Sequence, residues 1–330
     1  MIIGIQKIKL GQNNSKFIPL KLLISFFKLV RWPNLIFILI AQCLFQWCIY
    51  HPLYPTDTNP FNHSFLFILL SSLCIAAAGY VINDYFDINI DQINKPTKVV
   101  VSNIISRRWV IFWHLFLSMM GLYLTMIAFP FHNYWHIHLA NLFSILFLWF
   151  YSTTLKKQLL IGNVLIAILT AWAIAVVYFS KFTIAELSHP QEFPLHHMRF
   201  FKLMILYTAF AFVLTIIREA LKDMEDMEGD AKYGCRTIPI VWGLRATKVY
   251  LAVWLIVVVA ILAIIQLYVI PFGWYGSVIY CIALILAPLI YVLYQLPKAY
   301  SCHDFRKLSR WIKMAMLAGV LSMGFFYFLN

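Results

Sequence analysis

The chain has 330 residues, 62% hydrophobic and 12% charged, with a mean hydropathy of +0.80. A soluble domain carries roughly 25% charged residues, so this composition excludes a water-soluble protein and points to one integral membrane unit. The net charge of +13 is read as basic loops on the inner face of a membrane, with no nucleic acid as partner.

In chain order, residues 1–20 begin "MIIGIQKIKLGQNNSKF" and hold no long apolar core or small-residue cleavage site. They read as a cytoplasmic tail rather than a signal peptide. Residues 21–330 form the membrane domain. Nine apolar segments there approach the roughly 17–25 residues that a spanning helix needs. They are Leu22–Tyr50 (its first part a lead-in helix), Ser64–Ile82, Trp109–Phe129, Leu139–Ser152, Leu159–Phe179, Phe201–Ile217, Val249–Ile270, Trp274–Leu296 and Ile312–Leu329. The fold expected is all-α, a nine-helix bundle around a central cavity. With the N-terminus inside, 23 of the 26 Lys and Arg fall on the inner side, and only Lys181, Arg199 and Lys202 fall outside. Basic inner loops set orientation in membrane proteins, and nine spans place the C-terminus outside. The six cysteines have no C-x-x-C spacing, which argues against a disulfide framework.

The acids are scarce and clustered. Of 13 acidic residues, 9 lie in two windows: Asp84, Asp87 and Asp91, and Glu219 to Asp230. Asp223, Asp226 and Asp230 repeat the i, i+3, i+7 spacing of the first series. On a helix that spacing places three carboxylates on one face, and Asn83 can join them. Each series follows an apolar span, the second and the sixth. Like charges so close need a cation between them. Hard carboxylate oxygens select Mg²⁺, Ca²⁺ or Mn²⁺. Two acidic faces, each holding one Mg²⁺ around a shared diphosphate, fit both the charge and the spacing. Basic residues stand beside both: Lys95 and Lys98, then Arg218, Lys222, Lys232 and Arg236. The plainer reading, solvated helix ends paired with neighbouring Lys and Arg, accounts less well for two matched series on one side.

These stretches resemble a known family. "NDYFDINID", Asn83 to Asp91, is similar to the first aspartate motif of the UbiA superfamily of intramembrane prenyltransferases, and "KDMEDMEGD", Lys222 to Asp230, to the second. Shorter stretches agree: "RWPN" at Arg31, "YSTTLKK" at Tyr151, Gly162–Asn163, and "GCRTIPIVWG" at Gly234. The resemblance implies that Asn83, Asp84, Asp87 and Asp91 bind one Mg²⁺, and Asp223, Asp226 and Asp230 a second. It implies that Lys95, Tyr151, Lys156, Arg218 and Lys222 hold the diphosphate, with Asn34 near the acceptor. One departure is Val99, where members often carry a proline in a second basic-Pro pair. The activity implied is Mg²⁺-dependent transfer of a prenyl group from its diphosphate to a lipophilic acceptor. The site would face the cytoplasm from the cell (inner) membrane.

Within the superfamily, "IREALKDMEDMEGDAKYGCRTIPI" looks most like the geranylgeranylglycerol-phosphate geranylgeranyltransferases, which make a dialkyl glycerol ether lipid. The alternative is an aromatic acceptor of quinone synthesis, such as 4-hydroxybenzoate, dihydroxynaphthoate or homogentisate. A cation transporter would place its acids near the bilayer midplane between broken helices, whereas these sit at helix ends. His132, His136, His138, His189, His196 and His197 fall on the outer side, where interfacial loop histidines are a plainer account than a zinc site.

Overall fold

The computed structural model describes residues 18–57, 59, 61–94, 101, 105–189 and 194–328. The expected tail falls almost wholly outside them, as do Lys95 and Lys98. Backbone in lipid must satisfy its own N–H and C=O groups, which a helix does within one segment. Accordingly, helices are the regular secondary structure of the described residues, apart from one isolated bridge, Val101 to Ile105.

The first helices are α1 (Ile18–Leu29), α2 (Trp32–Leu44), which continues as a π-helical turn over Phe45–Tyr50, and the short α3 (His51–Leu53). Then come α4 (His63–Phe86), α5 (Ile88–Asn94), α6 (Arg107–Ala128), α7 (Phe131–Thr153), α8 (Ile161–Phe179) and the short α9 (Ile184–Ser188). The second half holds α10 (Leu195–Glu225), α11 (Met227–Lys232), α12 (Ile238–Val269), α13 (Tyr275–Cys281), α14 (Ala287–Gln295), α15 (Cys302–Leu321) and α16 (Gly324–Phe328). Local chemistry marks several starts. Asn62 caps α4 by accepting from the Phe65 N–H at 2.9 Å. Ser301 and Asp304 form a capping box at α15.

Eight helical stretches among the described residues are long and apolar enough to cross a membrane. The expected fourth span lies on α7, which has 23 residues and a kink at Tyr134. His132, Asn133, His136, His138 and Asn141 lower its hydropathy. Its start at Phe131 is eight residues earlier than the expected Leu139.

The sixth span needs a larger correction. The expected segment ends at Ile217, whereas α10 runs unbroken to Glu225. Arg, Glu, Ala, Leu and Lys are strong helix formers, so the helix carries on past the apolar stretch. At 1.5 Å per residue its 31 residues span about 46 Å, beyond a hydrocarbon core of roughly 30 Å. The polar end of α10, Arg218 to Glu225, therefore stands at the rim of the bundle. α4 and α6 pack closely, and Ser71 Oγ of α4 donates to the Gly121 carbonyl of α6 at 2.7 Å. α10 packs against α8 on one side and α15 on the other.

Candidate active site

Neither aspartate series lies on one continuous helix. α4 stops at Phe86 and α5 starts at Ile88, with Asp87 between them at φ −88°, ψ −2°. α10 stops at Glu225 and α11 starts at Met227, with Asp226 between them at φ −97°, ψ 6°. The middle aspartate of each series is thus a one-residue break in the sparsely allowed bridge region of backbone space, where many active-site residues sit. Both breaks keep the helical hydrogen bond. Asp87 N donates to Asn83 O at 3.0 Å and Asp226 N to Lys222 O at 2.8 Å. The two segments are alike in backbone as well as in spacing.

The tips α5 and α11 pack against each other. Asn94, at the end of α5, donates Nδ2 to the Asp226 carbonyl at 3.1 Å, and its Oδ1 accepts from the Gly229 N–H at 3.0 Å. Gly229 is glycine for space, since a Cβ there would overlap the Asn94 carboxamide. Nothing in the sequence pattern flagged Asn94.

All six aspartates are half-buried. Asp84 Oδ1 accepts from Arg31 Nη2 at 2.6 Å. Arg31 has φ 51° and ψ 52°, a left-handed conformation uncommon for a residue with a side chain and costing on the order of 1–3 kcal/mol. It turns the chain from α1 into α2 and lies over the Tyr80 ring, 5.3 Å from its centroid. Asp87 is paired twice, with Asn83 Nδ2 at 2.7 Å and with Lys156 Nζ. Lys156 sits in a short 3₁₀ turn, Leu155–Lys157, pressed against the start of α8. Gly162 allows this, because a Cβ there would stand 2.9 Å from the Lys156 Cα. Asp223 accepts from Asn163 Nδ2 at 2.8 Å.

The two segments share neighbours. Tyr151 lies within electrostatic reach of Glu219, Asp87 and Asp223. Cys235, in the turn after α11, is in reach of Asp230, Lys157, Lys156 and Asp87, and burial pushes its thiol up. Arg236 N donates to the Lys157 carbonyl at 2.8 Å, tying the turn after α11 to the turn that holds Lys156.

Beneath this mouth lies a cavity of about 250 Å³. Of the residues singled out by sequence, Asn34, Asn83, Tyr151, Arg218 and Lys222 line it. None of the six aspartates lines it, nor does Lys156; Asp84 and Asp87 bond to its liners Arg31 and Asn83, and Lys95 lies outside the described residues. Three charged liners were not singled out as site residues: Arg31, Glu219 and Lys313. Glu219 Oε1 accepts from Arg218 Nη1 at 3.1 Å and Lys222 Nζ at 2.7 Å. Lys313, from α15, donates to Asn34 Oδ1 at 2.9 Å. Deeper in the bundle the walls become mostly apolar and aromatic, with Phe37, Leu148, Leu169, Trp172 and Phe210.

Of the histidines expected on the outer side, His136, His138, His189 and His197 each have their own hydrogen-bond partners. His138 Nε2 contacts the Phe129 carbonyl at 3.1 Å, and His197 contacts Tyr178 Oη at 2.8 Å. Among the described residues, no three His, Cys, Asp or Glu gather as metal ligands do.

Residues 53–318 match the profile of the UbiA prenyltransferase family. The chain belongs to the UbiA prenyltransferase family. It is a multi-pass membrane prenyltransferase. Among its relatives is a digeranylgeranylglyceryl phosphate synthase of Methanosphaera stadtmanae, 31% identical, over 77% of this chain and 86% of that one. A protein of the same name from Saccharolobus solfataricus is 28% identical, over 77% and 83%. A solved digeranylgeranylglyceryl phosphate synthase structure superposes with a TM-score of 0.59 at 22% identity, covering 92% of this chain and 98% of that one. A UbiA homologue of Archaeoglobus fulgidus, bound to DMAPP and Mg²⁺, gives 0.55 at 16%, covering 91% and 99%.

Proposed function

We propose that this prenyltransferase moves a geranylgeranyl group from its diphosphate to the hydroxyl of geranylgeranylglyceryl phosphate, forming a dialkyl glycerol ether lipid. The observation that carries the reading is a cavity with a cationic rim and an apolar body beneath paired aspartate segments, in a chain whose relatives at 28–32% identity bear the synthase name.

The residues at the mouth fit Mg²⁺. The donor set is entirely hard oxygen, as that ion prefers. Asn83 Oδ1 is buried without a hydrogen-bond partner, which leaves an acceptor for a cation. No preformed three-carboxylate cage is required, because Mg²⁺ usually takes one or two carboxylates and completes its shell with water and phosphate oxygen. Asn83, Asp84, Asp87 and Asp91 would hold one ion and Asp223, Asp226 and Asp230 another. Bound there, Mg²⁺ would neutralise charge on the leaving diphosphate.

The protein's own groups do the rest. Lys156, Arg218 and Lys222 bind diphosphate oxygens through charge-assisted hydrogen bonds, with Tyr151 beside them, and Lys95 is assigned to the same role from the sequence alone. Arg31 fixes Asp84, and Asn163 orients Asp223. The prenyl chain lies in the apolar body, where water is excluded and each charge at the mouth acts more strongly. Faces of Phe37, Trp172 and Phe210 can stabilise allylic cation character by cation–π attraction. Asn34, held by Lys313, stands toward the acceptor. α7 makes the ninth span, so the N-terminus and the aspartate mouth face the cytoplasm and the C-terminus the other side, as the basic loops require.

The test uses purified protein in nanodiscs with labelled geranylgeranyl diphosphate and Mg²⁺. Geranylgeranylglyceryl phosphate, 4-hydroxybenzoate and dihydroxynaphthoate are offered in parallel and products identified by mass. A Mg²⁺-dependent ether product is expected. A product with an aromatic acid alone would move the protein to quinone synthesis.

A further inference from the structure

We infer that Glu219 accepts the proton of the acceptor hydroxyl, and that arrival of the prenyl diphosphate frees it to do so. This rests on the ether-lipid reading above. Ether formation from an alcohol must dispose of a proton, and the residue that takes it has to reach the cavity. Among the described residues, Glu219 is the one carboxylate that lines the cavity. Its side chain is only 12% exposed. It lies outside both i, i+3, i+7 series, four residues before Asp223.

Glu219 is held by the two cations assigned here to the diphosphate, Arg218 and Lys222, at 3.1 and 2.7 Å. A carboxylate gripped by two cations is a weak base. A diphosphate offers more charge and more oxygens, so both cations can turn to it. Arg218 is prepared for a further ligand, because its Nε is buried without a partner. Once the cations have turned, Glu219 remains a buried carboxylate facing the cavity. The groups then around it are Asp223 on its own helix, Tyr80 of α4, Tyr151 of α7 and Arg31. Thr215, one turn deeper on the same face of α10, also lines the cavity, and its Oγ1 is buried without a partner. That hydroxyl is placed to hold a polar group of the acceptor beside Glu219.

The step balances. The allylic C1–O bond breaks and its electron pair leaves with the diphosphate. The acceptor oxygen forms a bond to C1, its O–H bond breaks, and the proton passes to a Glu219 carboxylate oxygen. Water later removes that proton. Donor binding thereby switches on acceptor deprotonation, so the base is suppressed until the donor is seated.

The test compares wild type, Glu219→Gln and Glu219→Asp in nanodiscs by three readouts: affinity for a non-cleavable prenyl diphosphate analogue, acceptor-free Mg²⁺-dependent hydrolysis of the donor, and ether product. For Glu219→Gln, donor hydrolysis is expected within about threefold of wild type and analogue affinity equal to wild type or higher, because the cations no longer have a carboxylate to leave, while ether formation falls ~100-fold or more, as loss of a general base does. Glu219→Asp is expected to restore part of the ether activity. Ether formation within threefold of wild type in Glu219→Gln would overturn the proposal. So would a parallel loss of all three readouts with no rescue by Asp, which would make Glu219 a support for its cations. If wild type prenylates only an aromatic acid, the ether-lipid reading fails by itself. The aromatic product then replaces the ether in the same comparison and decides the role of Glu219.

Discussion

Asn94 and Gly229 lock together across 135 residues of sequence, the Oδ1 of one accepting from the backbone N–H of the other at 3.0 Å. The same carboxamide donates to the Asp226 carbonyl. One uncharged side chain thus joins the tips of the two aspartate segments, and does so through backbone, where no carboxylate has to be neutralised. Gly229→Ala would drive a methyl group into that carboxamide. Overpacking of this kind costs roughly 1–3 kcal/mol. The expected outcome is a lower melting temperature and a loss of turnover of at least ~10-fold. Asn94→Ala should remove the clash, so the double variant should lose less than the sum of the singles. Strict additivity in a thermal-melt and turnover cycle would count against the contact.

Asp87→Ala and Asp226→Ala should each abolish transfer, by ~100-fold or more, the scale of removing one electrostatic group that acts on developing charge. Insertion and the gel-filtration profile should survive. Near-wild-type turnover in either variant would contradict the assignment of both segments to the donor.

Lys156→Ala and Arg218→Ala should act mainly on donor affinity. A hydrogen bond to a charged group is worth about 1.5–3 kcal/mol, which corresponds to a loss of roughly 10–150-fold. Isothermal titration with a non-cleavable prenyl diphosphate checks this. Unchanged affinity would remove the residue from the diphosphate site.

Lys181 stands at the far end of the bundle, half-buried, its Nζ 4.1 Å from the Tyr50 ring centroid. Burial lowers its pKa to about 8, with Asp57 opposing the shift. The unfolded chain therefore binds the proton more tightly, and stability should rise as pH goes from about 8 towards the free-lysine value of about 10.4. Thermal melts across that range should show the rise in wild type and a smaller one in Lys181→Met. Turnover of the variant should stay within about threefold. A loss matching Asp87→Ala would overturn the assignment of this end as remote from the donor.

The sequence was most informative where hydropathy and acid spacing coincide. Asp87 and Asp226 stood out because carboxylates are rare in this chain and both cap apolar stretches. The helix break at each was not legible, because i, i+3, i+7 spacing is equally compatible with an unbroken turn. The reach of α10 was underestimated because a hydropathy pattern ends at Ile217 while helix propensity does not. Arg31–Asp84, Asn163–Asp223 and Asn94–Gly229 pair residues 53, 60 and 135 positions apart, and no local period announces such partners. Glu219 was visible as one acid of a cluster, but its separation from the aspartate series is a matter of which way its side chain faces. α7 fell short of an apolar span because its N-terminal part carries histidine and asparagine.

The two single-residue breaks have a mechanical consequence. Each detaches a short tip from a long, rigid span, and Asn94 couples one tip to the other. The tips are therefore held as one unit, and a loss of the Asn94 carboxamide would loosen both aspartate segments at once.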